Sequence, residues 1–220
     1  MKNIIFRNKK ICYKAEGEGN LVLLLHGFAE DGRVWNYQLE NLKKNYRLIV
    51  PDLPGSGTSD LLEGEVMLDD YAEAIKAIAE EEMNCNNANQ FALIGHSMGG
   101  YIALAFAERY PELLNGLGLF HSSSFADDEQ KIETRKKGID FIKKNGPGLF
   151  LKNTSANLFS ETTKAEAPEL IEKLIALSKD FKGDALVQYY EAMIKRPDRS
   201  AVLRSFQKPV LIIAGMHDNA

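Results

Sequence analysis

The stretch Phe91-Ala92-Leu93-Ile94-Gly95-His96-Ser97-Met98-Gly99-Gly100-Tyr101 decides the fold. An apolar run reads as a buried strand, a Gly-x-Ser-x-Gly turn follows, and an Ala-rich segment reads as a helix. That order is the context of a nucleophile elbow, in which a serine on a sharp strand-to-helix turn exposes its oxygen above a sheet. Gly95 and Gly99 carry no Cβ, so strand and helix can approach closely around a strained Ser97 backbone. Small residues recur by chance, so the pattern gains meaning only from the rest of the chain.

Upstream, Leu21-Val22-Leu23-Leu24-Leu25 is a continuous apolar run, the mark of a strand buried on both faces of a parallel sheet. It leads into His26-Gly27-Phe28. Residues 3–7 and 10–14 read as two short strands around a polar turn at Asn8-Lys9. Residues 31–44 read as a helix with Val34, Trp35, Leu39 and Leu42 inward, and 46–50 as a second buried strand ended by Pro51. The loop Asp52-Leu53-Pro54-Gly55-Ser56-Gly57-Thr58-Ser59 is turn-rich. The spacing of Tyr71, Ala74, Ile75, Ile78 and Ala79 predicts a helix over 69–83. The helix after the elbow is expected to stop before Pro111, with a strand at 116–120. Alternating strands and helices predict an α/β fold with a doubly wound, mostly parallel sheet.

From 122 to 207 no strand pattern appears. Four helices are expected there: one opening at Asp127-Asp128-Glu129 and breaking at Gly146-Pro147-Gly148, one near Pro168, one capped by Asp184 and a short one at Asp198. A helical block between two strands of a parallel sheet reads as a cap. The expected division is therefore a core of residues 1–121 and 208–220, with 122–207 inserted as the cap. Pro-Val-Leu-Ile-Ile-Ala at 209–214 returns to the sheet before Gly215-Met216-His217-Asp218.

Composition narrows the function classes. The 220 residues are 45% hydrophobic and 26% charged, with net charge −4. A mildly acidic balance argues against a nucleic-acid partner, which would need a basic face. No apolar run reaches the length of a membrane span or of a signal peptide. Cys12 and Cys85 read as isolated thiols of a cytoplasmic protein, and no metal-binding cluster or cofactor motif appears.

Four strand-end motifs in this order resemble the α/β-hydrolase fold superfamily over nearly the whole chain: His26-Gly27, Asp52-x-Pro-Gly-x-Gly-x-Ser59, Gly95-x-Ser97-x-Gly99 and Gly215-x-x-Asp218. The resemblance implies acyl transfer on a small-molecule substrate. Ser97 would be the nucleophile, the backbone N–H groups of Phe28 and Met98 the oxyanion donors, and Asp218 the acid that orients a histidine. The family's chain order is serine, acid, histidine. That order implies a base, a last strand and a terminal helix beyond Ala220, and so a longer natural sequence. Of the histidines present, His26 is expected to hold the oxyanion turn, His96 to point away from Ser97, and His217 to diverge from Asp218. His121 remains as a residue lining the floor of the site, and His26 could line it as well.

Serine at the elbow argues against the aspartate-dependent branches and leaves esterases, thioesterases, lactonases and carbon–carbon bond hydrolases. The reading expected from the resemblance is a serine hydrolase of a small to medium carboxylic ester; the alternatives are a carbon–carbon bond hydrolase or lyase of the same fold, or a non-catalytic ligand-binding protein lacking the triad histidine. Phe125, Phe141, Phe150, Phe159, Tyr189, Tyr190 and Met193 could line an apolar chamber, although aromatic residues at helical spacing more often pack the core. An exposed edge at residues 210–214 is expected to favour self-association; the sequence leaves the oligomeric state open.

Overall fold

A computed structural model of the chain describes residues 1–178, 180–216 and 218. The strands are β1 (Lys2–Phe6), β2 (Lys9–Glu16), β3 (Asn20–Leu25), β4 (Tyr46–Pro51), β5 (Phe91–His96), β6 (Leu114–Phe120) and β7 (Val210–Ile213). They form one sheet in the order β1-β2-β4-β3-β5-β6-β7. The β1–β2 and β2–β4 pairs are antiparallel and the others parallel. Arg7 and Asn8, both with positive φ, make the tight turn of the first hairpin.

The continuous apolar run of β3 has the physical cause expected of it. Leu21, Leu23 and Leu25 face one hydrophobic cluster, whereas Val22 and Leu24 face a second on the opposite side. The first cluster is built on α2 (Leu68–Asn86) and α3 (Met98–Arg109). Trp35 and Leu39 build the second. Both faces of the strand are covered, so period-two side chains are apolar on both sides.

The helix expected over 31–44 opens instead as a 3-10 turn, Gly32–Trp35, before α1 (Asn36–Leu42). Asp31 caps that turn by accepting the Arg33 N–H at 2.9 Å. α2 is longer than expected, and its start is fixed by Asp70, whose carboxylate accepts the Met67 N–H at 2.8 Å.

Between β6 and β7 lie α4 (Glu129–Asn145), α5 (Pro147–Thr154), a 3-10 turn (Ser155–Leu158), α6 (Glu161–Glu166), α7 (Pro168–Ser178), α8 (Gly183–Ile194) and α9 (Ser200–Ser205). Among the described residues of this segment six helices stand where four were expected. Gly146 does end α4, with φ 83, but Pro147 occupies a first helical position and starts α5 at once. Asp184 sits in the first turn of α8 rather than capping it. Asp198 accepts the Ser200 N–H at 2.8 Å, as expected at the start of α9.

This helical segment is bonded to the loops above the sheet. Tyr189 donates to the Pro54 carbonyl at 2.8 Å, Gln188 to the Leu62 carbonyl at 2.9 Å and Ser178 to the Ala29 carbonyl at 2.9 Å. At its far end Arg199 reaches both Glu108 and Asp69.

Among the described residues β7 pairs with β6 alone, and Val210, Leu211, Ile212 and Ile213 are each 38–60% exposed. An apolar strand edge with unpaired backbone groups is a template for association. Ile212→Lys is expected to lower self-association of this chain, read by light scattering against concentration. Equal scattering from both proteins would refute the role of that edge.

Candidate functional site

The direction of winding reverses at β3, which has β4 on one side and β5 on the other. Parallel sheets place their sites in the crevice at the carboxyl ends of strands flanking such a switch point. Here β3 runs into His26-Gly27-Phe28 and β5 into His96-Ser97, with Leu25 paired to Gly95.

Ser97 has φ 51 and ψ −117, a conformation that L residues avoid. Three bonds hold it. Its N–H donates to the Phe120 carbonyl at 2.9 Å, and its carbonyl accepts from Gly100 N–H at 2.9 Å and from the Ser122 hydroxyl at 2.8 Å. The glycines matter because there is no space beside them. A Cβ on Gly95 would lie 2.2 Å from the Gly99 carbonyl oxygen, and one on Gly99 2.6 Å from the Leu25 and His26 oxygens. Met98 is the first residue of α3, where no carbonyl of the helix can accept its N–H.

His26 is fully buried, and burial holds its imidazole below the ordinary range despite its bond to the Gly27 carbonyl. Nε2 accepts the Leu53 N–H at 3.0 Å, so the proton of the neutral ring sits on Nδ1 and is donated to the Gly27 carbonyl at 2.8 Å. That carbonyl and the Phe28 N–H belong to one planar peptide unit. By fixing the carbonyl, His26 also fixes the opposite direction in which the Phe28 N–H points. The expected role of His26 in holding this turn is consistent with that geometry. Asp52 organises the loop beside it, accepting from Gly32 N–H at 3.0 Å and Thr58 N–H at 2.9 Å.

Ser97 opens on a cavity of about 520 Å³. Phe28, Leu158, Phe159, Leu174 and Met216 supply apolar wall, and Glu30, His96, His121, Asn157, Ser160, Thr163 and Asp218 supply polar groups. The four sequence-selected residues Ser97, Phe28, His121 and Asp218 therefore border one space. Met98 and His26 lie behind it, fully buried.

His121 follows β6 with φ 46, and its N–H donates to the Ile213 carbonyl at 2.8 Å. Its Nδ1 lies 2.8 Å from Asp218 Oδ2. The acid at the end of β7 and the imidazole at the end of β6 thus meet because those strands are neighbours. His217 lies outside the described residues. Among the described residues no cluster of His, Cys, Asp and Glu could hold a metal ion, and no helix is long and apolar enough to cross a membrane. Cys12 is buried and Cys85 exposed, each a free thiol.

One expectation needs correction. His96 does not point away from Ser97's surroundings. It borders the same cavity, held by Glu30 Oε2 at 2.8 Å from Nδ1. Adjacency to Ser97 in the elbow predicts the opposite side, but β5 ends at His96 and the chain bends there into the elbow. Of the seven aromatic and Met candidates for a chamber, only Phe159 borders the cavity. Phe150, Tyr189 and Met193 are buried in the main cluster, Phe141 and Tyr190 pack against it, and Phe125 is 63% exposed. Tyr190 stacks on the Phe28 ring, centroids 4.3 Å apart.

Glu30 carried no motif and was missed; its proximity to the His-Gly turn was the available signal. Burial opposes its charge, but the bonds from His96 and Gly27 outweigh that and hold its carboxyl below the ordinary range. Burial likewise opposes charge on His96, and the Glu30 bond and charge overcome it and raise its pKa. A raised imidazole pKa stabilises the fold fully below the unfolded-state value and ceases to do so as pH rises through the folded value. The lowered Glu30 value acts oppositely, its contribution being lost on acidification. The melting-temperature gap between the unaltered chain and His96→Asn is therefore expected to shrink from about pH 6 to about pH 9. A gap constant over that range would exclude the ion pair.

Residues 20–140 match the family described as alpha/beta hydrolase fold. A putative carbamate hydrolase RutD of Agrobacterium fabrum is 27% identical over 208 residues, 93% of this chain and 77% of that protein. The structure of a thermophilic esterase from Thermogutta terrifontis, malate bound, superposes with a TM-score of 0.87 at 29% identity, over 96% of this chain and 78% of that one. An uncharacterized Mycobacterium tuberculosis protein, Rv2715, is 28% identical over 117 residues, 53% of this chain. The match spans only 33% of that relative's length. Sheet order, elbow and family match agree: the chain belongs to the α/β-hydrolase fold family.

Proposed function

We propose that this protein is a serine hydrolase that cleaves a small to medium carboxylic ester, or a related acyl substrate, through an acyl-enzyme on Ser97. The observation that carries the reading is the strained turn, φ 51, which sets Ser97 at the switch point and against the cavity. The Ser97 hydroxyl oxygen adds to the carbonyl carbon while its proton passes to an imidazole. The carbonyl oxygen takes up the negative charge and receives hydrogen bonds from the Phe28 and Met98 N–H groups. Collapse breaks the bond to the alcohol, which leaves with that proton, and water then hydrolyses the acyl-serine by the same steps. Each preorganised donor contributes about 3 kcal/mol to such a transition state.

Several features support the assignment. The apolar wall of Phe28, Leu158, Phe159, Leu174 and Met216 suits an uncharged acyl group. The names of the carbamate hydrolase and the esterase describe hydrolytic acyl chemistry in those proteins. In this reading residues 1–121 and 208–220 are the catalytic core, and 122–207 cap the site. The free thiols Cys12 and Cys85 fit a cytoplasmic location.

Asp218 is assigned the orienting carboxylate, and two imidazoles compete for the role of base. The family's chain order puts the base after the acid. His121, 2.8 Å from Asp218, is the one the described residues bring to it.

Hydrolysis of p-nitrophenyl butyrate tests the proposal. Ser97→Ala is expected to lower kcat on the order of 10⁴-fold or more, and a fluorophosphonate to label Ser97 alone. Undiminished turnover in Ser97→Ala would overturn the reading. His121→Ala separates the two bases: a loss on the order of 10³-fold assigns the proton to His121, and a loss under about tenfold assigns it to a histidine following the acid.

A further inference from the structure

We infer that Glu30 and His96 form a positioning clamp that locks the turn carrying the Phe28 N–H against the elbow carrying Ser97. The inference rests on the acyl-transfer reading above. One carboxylate oxygen does the joining. Glu30 Oε2 accepts the Gly27 N–H at 2.7 Å and the His96 Nδ1–H at 2.8 Å. Gly27 directly precedes the proposed oxyanion donor Phe28, and His96 directly precedes the proposed nucleophile Ser97. The two halves of the site come from different strands, β3 and β5. Glu30 is the side chain that bonds to both.

The packing leaves the clamp little freedom. A Cβ on Gly27 would sit 2.9 Å from Glu30 Oε2, 3.0 Å from Ser97 Cβ and 3.1 Å from His96 Nδ1. The three groups therefore meet around one bare Cα. Ala29, between Phe28 and Glu30, takes φ 59, which turns the chain back so that Glu30 can reach Gly27. Gly27 is then held at both backbone groups, its carbonyl by His26 and its N–H by Glu30. The Phe28 N–H shares its peptide plane with that carbonyl, so these bonds together fix the direction it takes.

Stability alone is a poor reason for such a pair. Bringing two charges out of water costs free energy that an apolar pair of similar volume avoids. A pair bordering the reacting cavity gains its value from geometry, because oxyanion donors act only when aimed in advance. The clamp touches no substrate atom in this account. Its effect passes through the Phe28 peptide and through the placement of Ser97.

The test measures kcat and KM for p-nitrophenyl butyrate, normalised to sites labelled by a fluorophosphonate so that misfolded protein does not count. Glu30→Ala is expected to lower kcat per labelled site by about 10- to 100-fold, with KM changed less than about threefold. Glu30→Gln keeps an oxygen able to accept both bonds, and is expected to recover to within about fivefold of the unaltered protein. His96→Asn offers an amide N–H near the Nδ1 position and is expected to behave like Glu30→Gln. If Glu30→Ala does not fold, His96→Ala takes its place, with the same loss of about 10- to 100-fold expected and a loss under about threefold overturning the clamp. A value for Glu30→Ala within about threefold of the unaltered protein would overturn the clamp, as would equal losses in the Ala and Gln variants. Absence of labelling in the unaltered protein would instead overturn the acyl-enzyme reading itself.

Discussion

The site depends on a close approach between backbones. The first turn of α3 rests on the carboxyl ends of β3 and β5 with no side chain between them, because Gly95 and Gly99 have no Cβ to interpose. That contact forces the chain to reverse within one residue, and Ser97 takes the positive φ that the reversal requires. The cost of that conformation is met by the three hydrogen bonds to Ser97's backbone and by the almost wholly buried helix behind it. Removing the glycines would change more than a local angle. It would push α3 away from the sheet and open the packing of Ile102, Leu104 and Phe106 beneath it.

Around this contact the polar groups are arranged so that each loop is held by another. The loop after β4 supplies Ser56 and the Leu53 N–H to His26, and His26 in turn orients the peptide after β3. The loop after β6 supplies Ser122 to the elbow. The helical segment reaches the first two loops through Tyr189 and Ser178. Loops normally carry the variable and mobile parts of a fold. Here their backbones are interlocked at the switch point, which is what a site needing fixed N–H donors requires.

Much of the fold was legible in the sequence because burial writes a simple code. β3 and β5 are apolar at consecutive positions since helices cover both faces, and the four strand-end motifs marked where the loops converge. That Ser97, Phe28 and Asp218 come to border one cavity follows from the same code: each sits at a fixed offset from a strand end. What could not be read depends on contacts between distant segments. Nothing local in His-Gly-Phe-Ala-Glu announces that Glu30 folds back onto Gly27 and meets an imidazole 66 positions away. The cavity wall from 157 to 163 comes from short, mostly polar pieces whose placement is set by tertiary packing rather than by periodicity. Pro147 was read as a breaker although it serves equally well to begin a helix.

One feature of the sheet bears on how the site is assembled and lost. Leu117 pairs with Val210 across the entire helical segment, so β7 can join β6 only after that long intervening stretch has closed. Pairings of such sequence separation form late and weigh on the folding rate. Among the described residues β7 has the least burial of any strand in the sheet. Asp218 reaches His121 only through that strand. Parting of β7 from β6 would separate Asp218 from His121 while the elbow at the centre of the sheet stayed folded.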